Sequence, residues 1–480
     1  MTVVKNYFFN LIFTLANVLF PIVSFPYVSR ILGPAGIGKV QFAFSFALYF
    51  CMLAAIGIPI YGAKEVARHR DDPAGRAKVF SELVTIYFIS SIIFSTCYFL
   101  IISFVPYFTG DPLTYRAAGI LVFTSFCSVE WIYTGMEDFK SIALRSVAFK
   151  LLNLILLFML VKTPADFRVY LYLMMFAFIG NNLLSIFLLK GKVKLSFTNL
   201  KLRHHITPLL YIFATTLAGS MYAEMDTVLL GFLSNSKTVG LYTAAVKFSK
   251  ISIPFVTSMG VILLPKAGKD FADRNLESVQ RSLDQTFKFL VFFSVPLVIG
   301  LIMLAPELIS LFSGREFLPA AQGMRILALL PLIIGFAHML LFMVMVPAGL
   351  NRAMFFCVLS GVAVSVLLNF LLVPRYQATG CAVANICAEI AVSGLYFHII
   401  RQRYAFKYNW VLIPQALLSA ALFVPIIWAI KEAHIIPIGI IICAAVSCAV
   451  VYITTQTWVF KNRLAYQFFA LAKSKLNISA

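Results

Sequence analysis

The chain has 480 residues, of which 61% are hydrophobic and only 12% charged, and its mean hydropathy is +0.92. That balance excludes a soluble enzyme or a nucleic-acid-binding domain as the body of the protein. The formal net charge of +20 therefore calls for a membrane explanation rather than a polyanion partner.

A hydrocarbon core takes roughly 20 apolar residues per helical crossing. Fourteen stretches qualify in chain order: 8–30, 42–63, 82–105, 115–135, 146–162, 167–189, 207–232, 239–264, 286–312, 323–347, 354–373, 378–400, 410–430 and 436–460. Runs such as Leu151–Val161 and Ile438–Val451 are continuously apolar, whereas barrel strands alternate. Lipid offers the backbone no hydrogen bonds, so each crossing is expected to be a helix. The first run, Phe8 to Tyr27, has no small-residue cleavage site after it and reads as a crossing rather than a signal peptide.

With a cytoplasmic N-terminus the loops sort by charge. Lys5, the inner segments Lys64–Ser81, Met136–Lys150, Lys190–Ile206, Pro265–Lys288, Ala348–Arg352 and Arg401–Tyr408, and the tail from Lys461 hold 27 of the 39 Lys and Arg residues. This is the positive-inside pattern, and it places both termini in the cytoplasm.

An internal repeat shows through. Ile31-Leu32-Gly33 and Gly38 follow crossing one; Leu229-Leu230-Gly231 and Gly240 follow crossing seven. Leu151-Leu152-Asn153 in crossing five matches Leu367-Leu368-Asn369 in crossing eleven. Six crossings per half is an even number, so the halves run in parallel. The expected division is an N-terminal six-helix bundle (1–195), a cytoplasmic linker (196–206), a second six-helix bundle (207–400), and two further helices with a tail (401–480).

Gly33-Pro34-Ala35-Gly36-Ile37-Gly38-Lys39 has the spacing of a phosphate-binding loop, but Val40 stands where a Ser or Thr must reach the metal. Joining two membrane helices on the outer side, it reads as a tight turn. No catalytic motif and no Cys/His metal pattern is present in the sequence, and the eight cysteines fall in or beside apolar runs; neither metal nor cofactor is expected. His204 and His205 sit in a basic cytoplasmic loop and read as solvated surface.

Ionisable residues inside crossings carry the functional signal, because a charge at mid-bilayer costs several kcal/mol, on the order of 3 by insertion scales. Lys247 and Lys250 share one face of crossing eight. Lys250 lies on the order of 16 Å from the outer end, near the midplane. Arg30 and Arg325 sit near the outer ends of crossings one and ten, where snorkelling to headgroups competes with a cavity role. These four are the candidate contacts for an anionic ligand. Asp226, Glu389, Glu224, Glu130 and His338 also lie in crossings; for them ion pairing competes with coupling to a proton or sodium gradient. Asp226 and Glu224, two residues apart, point to different helical faces.

Phe25-Pro26-Tyr27-Val28-Ser29-Arg30-Ile31-Leu32-Gly33-Pro34-Ala35-Gly36-Ile37-Gly38-Lys39-Val40 resembles the opening signature of the Wzx-type polysaccharide transporters, the O-antigen flippases. In order follow Trp131-Ile132-Tyr133-Thr134-Gly135-Met136-Glu137-Asp138-Phe139-Lys140; Asp226 with Leu230-Gly231; Val239-Gly240-Leu241-Tyr242-Thr243-Ala244-Ala245; and Asn369 with Pro374-Arg375-Tyr376, Gly380 and Glu389. The resemblance spans about Tyr7 to Ile400. Cys381 and the Val346-Pro347-Ala348-Gly349 run depart from the usual pattern.

The resemblance implies the fold of the multidrug/oligosaccharidyl-lipid/polysaccharide exporter (MOP) superfamily: an all-α integral membrane protein of about 14 transmembrane helices, two six-helix bundles forming a V around a cavity, plus two C-terminal helices. It implies a flippase rather than an enzyme. The cargo would be undecaprenyl-pyrophosphate-linked oligosaccharide, moved across a bacterial inner membrane by alternating access. Its tail is expected to stay in lipid between helices one and eight. Further expected partners are protons or sodium ions, membrane lipids and a polysaccharide polymerase, with no nucleic acid. The alternatives are a cation-coupled multidrug exporter, which an acidic cavity would favour, and a lipid II flippase of the same superfamily.

Overall fold

The computed structural model describes residues 2–189, 193, 200–433, 435–462 and 464–466. Among these the regular structure is entirely helical: α1 Thr2–Ala55, α2 Ile58–Arg68, α3 Pro73–Phe104, α4 Pro112–Phe123, α5 Glu130–Gly135, α6 Phe139–Leu160, α7 Phe167–Leu188, α8 Leu202–Leu233, α9 Ser236–Ile251, α10 Ile253–Ala272, α11 Leu276–Met303, α12 Ala305–Ser313, α13 Ala320–Leu327, α14 Leu330–Leu340, α15 Asn351–Arg403, α16 Leu412–Ala421, α17 Phe423–Glu432 and α18 Pro437–Trp458. Parts of the expected linker and of the tail from Lys461 lie outside the described residues.

Ten helical segments among the described residues are long and apolar enough to cross a membrane, or eleven when α9 and α10, bent by 42°, count as one. Two of the ten are double length. The stretch Ile12–Ala55 has 44 residues and α15 has 53, roughly 66 and 80 Å at helical rise against a hydrocarbon core of about 30 Å. Each is two helices joined at one non-helical residue, Gly33 (φ 64°, ψ 178°) in α1 and Gln377 (φ 49°, ψ −128°) in α15. These joints separate the expected crossings one from two and eleven from twelve.

Several crossings that read as continuous are broken. Crossing four stops at Phe123, passes through a 3-10 turn at Thr124–Cys127 and resumes as α5. Ser125 hydroxyl donates to the Val122 carbonyl at 2.8 Å and lies 2.9 Å from the Ser91 hydroxyl. Such side-chain bonds compete with the helical ladder. Crossing ten is split into α13 and α14 and ends in a π-helical stretch, Leu341–Met345. Crossing thirteen is split into α16 and α17. The second helix of α1 ends at Ile56 and Gly57, both at positive φ (40° and 75°).

Contacts divide the chain into two compact units, Met1–Gly240 and Leu241–Ala480. In the first unit one core joins Ala54, Ile58 and Tyr61 to Val79, Leu83 and Tyr87 and to Val129, Trp131, Ile132 and Tyr133. A second cluster of aromatic rings, Phe42, Phe46, Phe50, Tyr98, Tyr107, Phe108, Tyr115 and Phe232, packs in edge-to-face, tilted and stacked pairs at centroid distances of 4.8–6.5 Å. In the second unit the core runs from Phe287, Leu290, Val291 and Val295 of α11 to Leu340 and Met343 and on to Phe423 and Tyr452. Both cores are the helix-on-helix packing that apolar, small-residue-rich spans produce.

Candidate functional site

The two lysines lie on α9, and Lys250 stands in its last turn, immediately before the 42° bend into α10 at Ser252. A broken membrane helix turns unpaired carbonyls and a negative dipole end toward the break, which favours a cation there. Both lysines are half-buried. The bend thus supplies a local reason for a positive charge at the end of α9.

Arg325, also in the second unit, is exposed on α13. That helix approaches α9 where a Cβ added to Gly323 would sit 3.8 Å from the Ala245 Cβ, and Arg325 and Lys247 each lie two residues beyond this approach. Glu389 is half-buried on α15, and its carbonyl accepts from the Ser393 hydroxyl at 2.7 Å. His338 of α14 is half-buried with its ring 5.3 Å from Phe342, and its Nδ1 has no hydrogen-bond partner among the described residues.

In the first unit Arg30 is exposed on α1. Asp226 is buried and Glu224 half-buried on α8. A polar stripe on α1 meets them: Gln41 amide donates to Ser45 hydroxyl at 3.1 Å, and Ser45 donates to Glu224 Oε2 at 2.6 Å. Tyr49, one turn further, lies within electrostatic range of both acids. Their opposite helical faces therefore do not keep them from one neighbourhood, because α1 spans the gap.

Glu130 opens α5, 3.7 Å from the Arg145 guanidinium of α6. Arg145 is the residue that the sequence reading missed. It belongs to a basic segment that reads as cytoplasmic, yet its side chain is only 1% exposed. No signal in the sequence separates it from its solvated neighbours, because burial there comes from α5 and α7 closing over α6.

His205 overturns its expectation as solvated surface. It is buried, with Nδ1 2.8 Å from the Tyr61 hydroxyl and Nε2 2.8 Å from Glu82 Oε2. Glu82 Oε1 accepts from the Lys201 backbone N–H at 2.7 Å. This chain ties the start of α8 to α2 and α3.

The second unit also carries a groove of about 420 Å³ between α11, α12, α17 and α18, lined by residues such as Phe293, Leu297, Leu301, Phe423, Ala445 and Ala449. Its wall is almost wholly apolar and suits a hydrocarbon chain.

A polytopic, all-helical architecture with charges set at breaks in its spans is an arrangement that membrane transporters use. The family described as "Polysaccharide biosynthesis protein" matches residues 3–269, and the chain belongs to it; the MatE family matches residues 212–371. The chain is 24% identical over 387 residues to the "Putative O-antigen transporter" of Shigella dysenteriae, covering 78% of this chain and 94% of that one. It is 29% identical over 181 residues to the lipid II flippase MurJ of Bacillus subtilis, covering 37% and 32%. Among solved structures, lipid II flippase MurJ in an inward closed conformation superposes with a TM-score of 0.68 at 15% identity over 95% of this chain and all of that one. An inward-facing MATE family multidrug resistance transporter superposes with a TM-score of 0.65 at 16% identity, over 80% and 94%. The protein is a transporter or flippase of the MOP superfamily, not an enzyme.

Proposed function

We propose that this protein flips an undecaprenyl-pyrophosphate-linked oligosaccharide from the cytoplasmic to the outer leaflet of a bacterial inner membrane, for O-antigen, capsule or exopolysaccharide assembly. The observation that carries this reading is Lys250 at the α9–α10 bend. A deep, half-buried ammonium at a helix break suits an anionic headgroup, since charge-assisted hydrogen bonds to phosphate offset its desolvation. Lys247, Arg325 and Arg30 are proposed to assist it. A cationic drug has no use for such a group, which disfavours the multidrug reading.

The apolar groove beside α17 and α18 is the surface proposed for the polyprenyl chain, in place of a path between helices one and eight. Asp226, Glu224 and Glu389 are the proposed coupling acids for a proton or sodium gradient, with His338 as a second proton-accepting group. Alternating access between repeats divided near 195–207, cytoplasmic termini and contact with a polysaccharide polymerase complete the proposal.

The test is complementation. The chain is expressed in a bacterium lacking its own O-antigen flippase, and surface polysaccharide is scored beside Lys250→Glu. Restored polymer that Lys250→Glu abolishes supports the reading. Absent polymer despite verified membrane expression, with rescue instead of a strain lacking its lipid II flippase, assigns the pyrophosphate cargo to peptidoglycan synthesis.

A further inference from the structure

Arg145 is a charge without an adequate counterpart. Its Nε donates to Asn181 Oδ1 at 2.9 Å, and the Tyr133 ring lies 5.0 Å from its Cζ. Nη1 and Nη2 are both buried, and apart from the Tyr133 side chain the polar group they face is Glu130. The nearest carboxylate, Glu130, is 3.7 Å away, beyond hydrogen-bonding distance, and its side chain is 37% exposed where that of Arg145 is 1%. A buried guanidinium needs an anion beside it, because an unpaired one costs far more than a paired one. The fork is preorganised to receive two oxygens side by side, and Glu130 lies 3.7 Å from it without a hydrogen bond.

Of the acids on the packed elements, Glu65 of α2 pairs with Arg68 and Glu137 with Arg70, each at 2.7 Å, which leaves Glu130 facing Arg145. From α5 come Glu130 and Tyr133, whose hydroxyl donates to the Ser185 carbonyl at 2.6 Å. Asp138, in the turn before α6, is within electrostatic range of Arg145 but caps α6 at Ser141, through the backbone N–H at 3.2 Å and the hydroxyl at 2.7 Å. From α6 comes Lys150, within electrostatic range of Glu130 and hydrogen-bonded to Asn17 of α1. The contribution from α7 is the neutral amide of Asn181.

We propose that Arg145 is an anion-binding group held in reserve by Glu130. A phosphate-class anion and the Glu130 carboxylate compete for the same guanidinium. When the anion takes the fork it displaces Glu130, and a proton from bulk solution on the Glu130 carboxylate removes that competitor and favours the exchange. Anion entry and proton uptake are thereby linked: a lower pH strengthens anion binding. Identifying the anion as the cargo's pyrophosphate rests on the flippase reading; the site itself does not.

The experiment uses the full-length protein purified in detergent and sulfate, a tetrahedral dianion that does not titrate in the carboxylate range, as the calorimetric probe. The wild type is expected to bind sulfate more tightly as pH falls through that range. Glu130→Gln is expected to bind about tenfold more tightly at neutral pH and to lose the pH dependence. Arg145→Lys weakens binding and Arg145→Gln abolishes it, each with an unfolding transition recorded alongside. The proposal is overturned if Glu130→Gln binds no more tightly than the wild type, or if a folded Arg145→Gln binds sulfate unchanged. Should Arg145→Gln not fold, the wild-type pH profile against that of Glu130→Gln decides alone. Failed complementation with an intact Glu130→Gln response removes the flippase reading and leaves the site; complementation with a flat response removes the site alone.

Discussion

Gly38 and Gly240, both in the first unit, face each other with no room for a side chain at either. A Cβ on Gly38 would fall 1.6 Å from the Ser236 carbonyl oxygen, and one on Gly240 would fall 1.9 Å from the Pro34 carbonyl oxygen. The obstacle is backbone in both cases, so no rotamer change relieves it. Close backbone approach of this kind is what glycine permits between membrane helices. Gly38→Ala and Gly240→Ala are each expected to destabilise the protein by about 1–3 kcal/mol as overpacking does, read as a lowered unfolding temperature in detergent. Gly110→Ala, whose Cβ would meet nothing within 4 Å, is the control. Equal melting of all three would show that the two turns do not touch.

The Tyr61–His205–Glu82 chain makes a second prediction. His205→Ala leaves the buried Glu82 carboxylate and the Tyr61 hydroxyl each one partner short. Each orphaned group costs about 1–3 kcal/mol. Thermal unfolding should show the loss, whereas His204→Ala, at an exposed position, should leave the transition where it was.

Acid should loosen the turn between α3 and α4. Partial burial of Asp111 works against its ionised form, but the Thr114 hydroxyl at 2.7 Å and the Arg168 guanidinium at 2.9 Å outweigh it and hold the carboxyl below its usual value of 3.8. A carboxyl depressed on folding contributes stability above its unfolded value and loses it as pH falls through the folded one. Arg168 is 43% exposed, so solvent screening keeps the pair's worth below about 1 kcal/mol. Asp111→Asn should flatten the acid limb of the unfolding profile by that small amount and leave neutral-pH transport intact; an unchanged acid limb would remove Asp111 from the account.

Filling the groove should separate tail from headgroup. Ala449 is exposed along the groove wall, so Ala449→Phe adds a ring there without displacing core atoms. The expected result is unchanged membrane expression, with labelling by a photoactivatable polyprenyl phosphate cut by at least about tenfold, the worth of roughly 1.4 kcal/mol of lost apolar contact. Labelling at the wild-type level would move the tail elsewhere.

What the sequence determined by itself was the inventory. The number and length of apolar runs, the sorting of Lys and Arg and the paired Leu-Gly signatures follow from the bilayer's thickness and from backbone satisfaction, and both act on each segment alone. The lysines of α9 and the acids of α8 were legible for the same reason: a charge inside an apolar run is visible without a fold. Only the tertiary structure decided which groups meet. His205 reads as solvated, and Arg145 passes unremarked, because the segments that carry them are basic; their burial depends on other helices, α7 for Arg145 and α2 and α3 for His205. The breaks at Ser125 and Ser252 were equally hidden. A hydropathy run cannot distinguish a continuous span from two half-helices, because the turn between them is satisfied by hydroxyls and neighbouring helices that only packing supplies.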